Sequence, residues 1–420
     1  MKDDCRVRVL GKCRFESPVD SNHCVEEDAR VLIDTVIGGQ TPVVSDSFEC
    51  AGPRRRIFFN PDKCRAAMVT CGGLCPGLND VIRAATMVLW YRYGVRTILG
   101  LRYGYEGLIH SKGHTPIELT PELVEDIHQD GGTILGSSRG PQDVSAAVDF
   151  LAENGIDILF TIGGDGTQRG MLAIADEIQK RGLKTAVIGI PKTIDNDISY
   201  TQRTFGFETA VAMSQMPVTG AHMEAKGAMN GIGIVKLMGR ESGFVAAYAA
   251  LASSDVNLVL VPEVPFSMEN VLRYLRRRFE TKSHAVILTA EGAGQEHVPA
   301  HGCDASGNRK LGDVGLFLKN EISDHFKKHS LETHVKYIDP SYTIRSAPAT
   351  PDDSVFCFQL AQNAVHAAMS GRTASIICLW NGRFVHVPAA KAVSHPKRID
   401  PDSLFWQSVL DNTGQPLSLV

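Results

Sequence analysis

Short apolar runs alternate along the chain with longer segments in which apolar residues recur every three or four positions. The short runs predict buried strands, and the longer segments predict helices with one apolar face. The predicted strands are 66–70, 156–162, 185–190, 231–237, 257–261, 285–290, 335–338, 375–379 and 383–387, and the predicted helices are 80–93, 167–180, 242–253, 267–282, 313–328 and 353–369. Because strands and helices alternate, the chain is predicted to be an α/β protein built on parallel sheets.

Composition narrows the class of protein. The 420 residues are 43% hydrophobic, which is enough to fill the cores of two or three domains. The net charge of −4, with mixed signs, disfavours a nucleic-acid or membrane-surface partner. No apolar run approaches the roughly 18 residues that cross a bilayer. The ten cysteines follow no disulfide or zinc spacing and the N-terminus is acidic, so a reducing, cytoplasmic location is expected.

Two predicted strands, 156–162 and 185–190, are followed by the most chemically informative loops. The first loop contains Gly163-Gly164-Asp165-Gly166-Thr167, whose glycines let the backbone approach an anion at the start of a helix. Its Asp165 is suited to hold Mg²⁺ on phosphate oxygens. The second loop carries Asp195 and Asp197, a carboxylate pair suited to general-base and metal-supporting roles. Both loops lie where parallel α/β sheets bind ligands.

Four further motifs, together with these loops, resemble those of the 6-phosphofructokinase family in the same order. They are 71–79 (CGGLCPGLN), 131–139 (GGTILGSSR), 238–240 (MGR) and 337–345 (YIDPSYTIR). The likeness covers about residues 64–372 and is strongest to the ATP-dependent branch of plants and trypanosomatids. It implies two Rossmann-like three-layer α/β/α domains with mostly parallel sheets and an active site in the cleft between them.

The resemblance implies transfer of the γ-phosphoryl group of ATP to the 1-hydroxyl of fructose 6-phosphate, a step of glycolysis, with Mg²⁺ as cofactor. The implied nucleotide-binding residues are Gly72, Arg139, Gly140, Gly164, Asp165, Gly166 and Thr167, with Asp165 on the metal. The implied catalytic residues are Asp195 as the base, with Thr193, Asp197 and Arg240. The implied substrate-binding residues are Thr193, Ile194, Asp195, Met238, Gly239, Arg240, Glu291, Lys336, Tyr342 and Arg345.

The expected domains are an N-terminal extension at 1–60, a nucleotide and magnesium domain at 61–205 joined by about 346–392, a sugar-phosphate domain at 206–345 and a C-terminal segment at 393–420. Within the extension, Arg54, Arg55 and Arg56 are interpreted as a solvent-exposed rim. The resemblance also implies a homo-oligomer, either a tetramer or a dimer, and an allosteric enzyme. The effectors and the role of the extension stay open.

Three positions depart from the bacterial members of the family. Gly231 stands where those enzymes have an arginine that acts in the neighbouring subunit, Lys336 aligns with a second such arginine, and Tyr342 replaces a histidine. Lysine keeps the charge of arginine but loses its planar fork. Binding of the sugar phosphate by residues of a neighbouring subunit is therefore not assumed. Whether Lys336 acts in the site of its own subunit or in that of a neighbouring subunit stays open.

The identity of the phosphoryl donor depends on Gly166 and Lys192. Relatives that use pyrophosphate pair an aspartate at the first position with a lysine at the second, and this chain has only the lysine. ATP is therefore the expected donor, and a pyrophosphate-dependent phosphofructokinase is the alternative. NAD kinases and lipid kinases share the Gly-Gly-Asp-Gly-Thr motif but not the loops at Asp195 and Arg240. A non-catalytic regulatory subunit is disfavoured because the acidic residues are present.

Overall fold

The computed structural model describes residues 5–36, 46–299, 302 and 310–420, and the chain divides into two compact units. Unit 1 comprises Met1–Thr193, Ile198–Gly206 and Ser346–Pro396, and unit 2 comprises Ile194–Asp197, Phe207–Arg345 and Lys397–Val420. Parts of the predicted N-terminal extension, at 1–4 and 37–45, lie outside the described residues.

The strands and helices have the following bounds in the described residues. The strands are β1 (Arg8–Val9), β2 (Phe15–Glu16), β3 (Arg30–Leu32), β4 (Ser47–Cys50), β5 (Arg56–Ile57), β6 (Arg65–Thr70), β7 (Thr97–Gly100), β8 (Ile117–Glu118), β9 (Ile158–Gly163), β10 (Ala186–Pro191), β11 (Gly231–Leu237), β12 (Leu258–Leu260), β13 (His284–Ala290), β14 (His334–Ile338), β15 (Arg372–Thr373), β16 (Ser375–Trp380) and β17 (Arg383–Pro388). The helices are α1 (Leu78–Met87), α2 (Pro121–Val124), α3 (Val144–Glu153), α4 (Asp165–Lys180), α5 (Phe207–Lys226), α6 (Phe244–Ala252), α7 (Met268–Phe279), α8 (Val314–Lys328), α9 (Ser341–Arg345), α10 (Pro351–Met369), α11 (Ala389–Ala392) and α12 (Leu404–Thr413).

Unit 1 is built on a nine-stranded sheet in the order β3-β4-β17-β16-β10-β9-β6-β7-β8. The five strands from β16 to β7 are parallel, and the outer strands on both sides pair antiparallel. Strands β9 and β10 are buried along their whole length, which explains their nearly continuous apolar sequence. Strands β3 and β4, from the first 60 residues, extend this sheet next to β17.

Unit 2 is built on a four-stranded parallel sheet in the order β12-β13-β11-β14. Alternate residues of β11 serve different cores. Val235 and Leu237 pack in a core with residues of α5 and α6, while Ile232 and Ile234 pack in a core with residues of α7 and α8. This period of two is what a strand covered on both faces requires, and it leaves the carboxyl ends of the strands for the loops.

The α/β fold class predicted from the sequence is confirmed, and the predicted strands and helices are present, with ends that move by at most three residues in all but one. The exception is the helix predicted at 80–93, which is α1 followed directly by a π-helical segment at Val88–Tyr93. Two further details differ. Helix α4 begins at Asp165 rather than at 167, so Asp165 and Gly166 lie in its first turn. The end of the 337–345 motif, where the sequence predicts no helix, forms the short helix α9.

The interpretation of Arg54, Arg55 and Arg56 as an exposed rim is wrong for Arg54. Its side chain is 1% exposed, while Arg55 and Arg56 are solvent-exposed and pair with glutamates. The guanidinium of Arg54 donates to the carboxylate of Glu49 at 2.8 Å and to backbone carbonyl oxygens of the extension. A buried guanidinium is costly unless it is paired, and here both terminal nitrogens of Arg54 are hydrogen-bonded while Nε lies 3.9 Å from the Glu27 carboxylate.

None of the helices in the described part of the chain is both long and apolar enough to span a membrane. The nine cysteines within the described ranges are free thiols.

We expect the stability of the fold to fall with acid because of a buried histidine in unit 1. The Nδ1 atom of His366 on α10 lies 2.8 Å from the Tyr93 hydroxyl, and burial lowers the pKa of His366 to about 4. The unfolded chain therefore binds a proton at pH values where the folded chain does not. Stability is full above about pH 6.5 and falls by up to ~3 kcal/mol as the pH approaches 4.

Urea unfolding of His366→Gln and of wild type at several pH values measures this effect. The slope of the unfolding free energy against pH between about 6.5 and 4 is expected to be shallower in His366→Gln. His23→Gln, at an exposed histidine, is the matched control. Equal slopes in wild type and His366→Gln would contradict the assignment.

Candidate active site

In unit 1, three loops at the carboxyl ends of neighbouring strands hold most of the predicted nucleotide-binding residues and the predicted donor-specificity residue Lys192. Gly72 follows β6, Gly164 follows β9, and Lys192 follows β10. Because β6 pairs with β9 and β9 with β10, the three strand ends are adjacent along one edge of the sheet. This is the position where parallel α/β sheets bind ligands.

The loop after β9 passes directly into the first turn of α4. Gly164 is the N-cap in an extended conformation, and Asp165 and Gly166 are the first two helical residues. The backbone carbonyl of Thr167 accepts a hydrogen bond from the buried Tyr105 hydroxyl at 2.7 Å. The first turn is therefore fixed in place with its backbone amides available to an anion.

The glycine loop at 131–139 is held against the loop after β6. Asn79 on α1 accepts from the Ile134 amide at 3.0 Å and donates to the Asp130 carbonyl at 3.1 Å. The Ser137 hydroxyl donates to the Gly72 carbonyl at 2.5 Å. The structure thus brings the predicted residues Gly72, Arg139 and Gly140 together in one part of unit 1.

Lys192, the predicted donor-specificity residue, is buried, and its Nζ donates to the Gly73 carbonyl at 2.6 Å. The backbone amide of Lys192 donates to the Gly163 carbonyl at 3.0 Å. The neighbouring Thr193 carbonyl accepts from the Thr204 hydroxyl at 2.6 Å. A single lysine therefore links the loop after β10 to the loop after β6.

In unit 2, the acidic segment Ile194–Asp197 is anchored by backbone and side-chain hydrogen bonds. The Asp195 Oδ2 atom accepts from the backbone amide of Arg240 at 3.3 Å, and the Asp195 carbonyl accepts from the Ser242 hydroxyl at 3.0 Å. The Asp197 carbonyl accepts from the Lys397 amide at 2.7 Å. The carboxylate of Asp195 is thereby oriented by the Met238-Gly239-Arg240 loop.

The sugar-phosphate residues follow three adjacent strands of unit 2. Arg240 follows β11, Glu291 follows β13, and Arg345 ends the helix α9 that comes after β14. Gly239, with φ of 126°, allows a turn in which its carbonyl accepts from the Gly292 amide at 2.9 Å. Burial raises the pKa of Glu291, while the nearby positive charges of Lys236, Arg240 and Arg345 act in the opposite direction.

Two predicted substrate-binding residues lie differently from the rest. Tyr342 is exposed and its ring lies under the Arg345 guanidinium, 4.2 Å from the ring centroid. Lys336 lies inside β14, opposite Gly233 of β11, rather than at the strand end. Its exposed side chain is 3.8 Å from Glu224. Within this chain, the structure does not bring Lys336 beside Arg240, Glu291 or Arg345.

Sequence reasoning missed several residues that shape these loops. Tyr105 and Gln168 support the first turn of α4, and the fully buried amide of Gln168 donates to the Gly163 and Ile190 carbonyls at the ends of β9 and β10. Lys236 is a further residue that the sequence analysis does not single out. The sequence does contain an indication of its importance, because Lys236 follows Ile232 and Ile234 at a spacing of two and so lies on a buried face of the strand.

Asp165 is the residue whose chemistry fits the Mg²⁺ expected from the family. Its carboxylate is about half exposed and pairs with Arg169 at 2.8 Å. The described residues contain no cluster of three or more histidine, cysteine or acidic side chains able to hold a metal by themselves. Mg²⁺ usually takes one or two carboxylates and completes its shell with substrate phosphates and water.

Glycine-rich and acidic loops at the carboxyl ends of parallel strands are typical of α/β enzymes that bind phosphorylated ligands. The family model "Phosphofructokinase" matches residues 65–368. This chain belongs to the phosphofructokinase family.

Relatives similar to nearly the whole chain carry one name. The "ATP-dependent 6-phosphofructokinase" of Borreliella burgdorferi is 47% identical over 440 positions, covering 99% of this chain and 98% of that protein. The protein of the same name from Trypanosoma cruzi is 49% identical over 427 positions, covering 98% and 88%. "ATP-dependent 6-phosphofructokinase 5, chloroplastic" of Arabidopsis thaliana is 47% identical over 370 positions, covering 87% and 68%.

Solved structures share the fold at lower identity. The pyrophosphate-dependent phosphofructokinase from Marinobacter aquaeolei matches with a TM-score of 0.69 and 18% identity, over 83% of this chain and 91% of that one. The phosphofructokinase of Pichia pastoris in the T-state matches with a TM-score of 0.63 and 22% identity, over 84% and 37%. At such identities, the likeness supports the fold alone.

Proposed function

We propose that this chain is an ATP-dependent 6-phosphofructokinase that transfers the γ-phosphoryl group of ATP to the 1-hydroxyl of fructose 6-phosphate. The observation that carries the proposal is the 47% identity, over 99% of the chain, to a relative of that name. The hydrogen bond from the Arg240 backbone amide to the Asp195 carboxylate supports it, because phosphoryl transfer requires a proton acceptor in a fixed position.

In the proposed reaction, Asp195 accepts the proton of the sugar 1-hydroxyl while that oxygen forms a bond to the γ-phosphorus. The bond from the γ-phosphorus to the bridging oxygen breaks, and ADP leaves with the electron pair. The Arg240 amide orients the Asp195 carboxylate through the hydrogen bond to Oδ2. Asp197 and Thr193 flank the base along the chain, and their proposed role is to support its position.

The proposed recognition of fructose 6-phosphate uses charge-assisted hydrogen bonds. Arg240 and Arg345 present planar guanidinium groups that suit a phosphate dianion. Glu291, whose carboxylate lies among these cations, is suited to accept hydrogen bonds from sugar hydroxyl groups. Met238 is buried in the core of unit 2 and Ile194 packs against that core, so their proposed role is to support the loops that carry these groups.

The proposed nucleotide site consists of the unit 1 loops. The first turn of α4 and the loops at Gly72 and Arg139 provide backbone amides and a cation for the phosphates. Asp165 would hold Mg²⁺, which neutralises charge on the phosphoryl group being transferred. Arg169, now paired with Asp165, would exchange that partner when the metal binds.

Arg345→Ala and Arg240→Ala are each expected to raise the KM for fructose 6-phosphate roughly 10- to 100-fold and to change the KM for ATP far less. Each substitution removes a charge-assisted hydrogen bond to the sugar phosphate. Steady-state kinetics with one substrate varied at a time measures both constants. Arg273→Ala, at an exposed arginine paired with Glu269, is the control. A selective rise in the KM for ATP would show that the substrates are assigned to the wrong loops.

The acceptor is tested by supplying ATP and Mg²⁺ with either fructose 6-phosphate or NAD and measuring ADP release. The expected result is ADP release with fructose 6-phosphate and none with NAD. ADP release with NAD and none with fructose 6-phosphate would favour an NAD kinase. No ADP release with either acceptor would favour a regulatory subunit.

Two broader features belong to the same proposal. The free cysteines of the described residues support a reducing compartment such as the cytoplasm.

The exposed Met216 and Met223 on α5, with Met229 just beyond it, offer an apolar surface that a homo-oligomer would cover. Light scattering of the purified chain measures its oligomeric state, and allosteric control stays an expectation from the family.

A further inference from the structure

A lysine occupies a position of β11 where the strand pattern calls for an apolar residue. Ile232 and Ile234 are fully buried in the core shared with α7 and α8, and Lys236 is the next residue on that face. The Lys236 side chain is 13% exposed. Since a buried ammonium group is costly unless it is paired, its partners indicate why a lysine is there.

Two carboxylates from two other elements pair with this lysine. The Lys236 Nζ lies 2.9 Å from Asp339 Oδ2, just after β14, and 3.2 Å from Asp313 Oδ1, at the start of α8. The Tyr337 hydroxyl donates to the same Asp313 oxygen at 2.7 Å. Burial acts to lower the pKa of Lys236, but hydrogen bonds with Tyr337 and Asp339 raise it, so the lysine stays charged.

The carboxylate of Asp339 also sets the start of the helix that carries Arg345. Asp339 Oδ1 accepts from the Ser341 amide at 3.1 Å and from the Ser341 hydroxyl at 2.5 Å, and α9 runs from Ser341 to Arg345. Asp313 caps α8 by accepting from the Leu316 amide at 3.1 Å. Lys236 therefore connects the strand that leads to Arg240 with the helix that ends at Arg345.

Lys236 acts on Glu291 as well. It lies opposite Thr289 of β13, two residues before Glu291. Burial raises the pKa of Glu291. The charges facing this carboxylate are Lys236 on β11, Arg240 after β11 and Arg345 on α9, which lower its pKa, and Asp339 after β14, which raises it.

We propose that Lys236 is a positioning residue for fructose 6-phosphate, one that lies beside the strand leading to Glu291 and, by pairing with Asp339, fixes the start of the helix carrying Arg345. The inference rests on the proposed function, because it assigns a second layer of residues to the same sugar-phosphate site. Lys236 itself does not need to contact the sugar. Its effect reaches the substrate through Glu291 and Arg345.

The test is the pH profile of kcat/KM for fructose 6-phosphate in wild type and four variants. Lys236→Met removes the charge that favours ionised Glu291, so the acid limb is expected to move to higher pH. Asp339→Asn keeps an oxygen that can cap α9 but removes the opposing negative charge, so the limb is expected to move to lower pH. On this acid limb, where kcat/KM rises with pH, a shift of the profile by one pH unit changes kcat/KM about tenfold.

The other variants separate charge from general damage. Lys236→Arg keeps the charge and is expected to have a limb close to that of wild type. Lys282→Met removes an exposed lysine from the same unit and is expected to leave the profile unchanged. The KM for ATP should stay within about threefold of wild type in every variant, since the effect is confined to the sugar-phosphate residues.

The outcomes distinguish the two levels of the proposal. Absence of fructose 6-phosphate turnover in wild type would overturn the proposed function itself. If wild type is active and its acid limb lies at the same pH as those of Lys236→Met and Asp339→Asn, only the role of Lys236 is overturned. Should Lys236→Met fail to fold, Lys236→Gln takes its place because it also removes the charge, and a limb that moves to higher pH supports the proposal whereas an unmoved limb contradicts it.

Discussion

Asp195→Asn is expected to lower kcat roughly 10²–10⁴-fold while changing the KM values for ATP and fructose 6-phosphate little. Asparagine has nearly the same shape, and its side-chain oxygen can still accept the hydrogen bond that the Arg240 amide makes with Asp195 Oδ2 at 3.3 Å. The substitution therefore removes the proton acceptor without removing the contact that orients it. Steady-state kinetics with each substrate varied in turn measures the effect.

The control for this substitution is Asp324→Asn on the exposed face of α8, which removes a carboxylate of the same unit away from the candidate site. It is expected to have wild-type kinetics. Normal turnover by Asp195→Asn would mean that another group accepts the proton. A large rise in either KM with unchanged kcat would mean that Asp195 serves binding instead.

Gly166→Asp is expected to lower kcat/KM for ATP by about a thousandfold. A carboxylate about 4 Å from a nucleotide phosphate opposes binding by about 4 kcal/mol at the effective dielectric constant near a protein surface. The fold itself should accept the substitution. Gly166 lies in the first turn of α4, and a Cβ atom at this position would meet no other atom within 4 Å.

Gly166→Ala separates the effect of charge from that of a side chain. Alanine is favoured over glycine within a helix by about 1 kcal/mol, so this variant is expected to be at least as stable as wild type and to keep most of its activity with ATP. Equal values of kcat/KM for ATP in Gly166→Asp and Gly166→Ala would contradict the role of Gly166 in selecting the phosphoryl donor.

Pyrophosphate is the informative second donor for these variants. Lys192 is already in place beside the Gly73 carbonyl, at 2.6 Å, and pyrophosphate-using relatives have a lysine at this position. Gly166→Asp is therefore expected to gain weak activity with pyrophosphate. The wild-type chain is expected to use pyrophosphate hardly at all, and efficient use by wild type would reverse the donor assignment.

The parts of the structure that the sequence predicted well depend on local patterns. Strand β9 was predictable because its apolar run is bounded by Gly155 and Gly163-Gly164, and α4 because Met171, Ile174 and Ile178 share one face. The start of α4 was misplaced by two residues. Asp165 and Gly166 are weak helix formers in general, but here the N-cap at Gly164 and the contact from Tyr105 fix the first turn.

The parts that the sequence did not predict depend on partners distant along the chain. Arg54 is buried because Glu49 and Arg372 meet it in one ionic network, and Arg372 lies more than 300 residues away in sequence. Helix α9 begins at Ser341, whose amide donates to Asp339, and Asp339 is in turn paired with Lys236. The segment 337–345 carries no local sign of Lys236, so its sequence alone does not predict this helix.

One measurement tests the central proposal most directly. The purified chain is supplied with ATP, Mg²⁺ and fructose 6-phosphate, and phosphorus NMR follows the products. The account predicts one ADP for each new phosphate ester at the sugar 1-position, with hardly any phosphoryl transfer when pyrophosphate replaces ATP. Release of ADP with inorganic phosphate and no new sugar ester, or rapid ester formation from pyrophosphate, would contradict it.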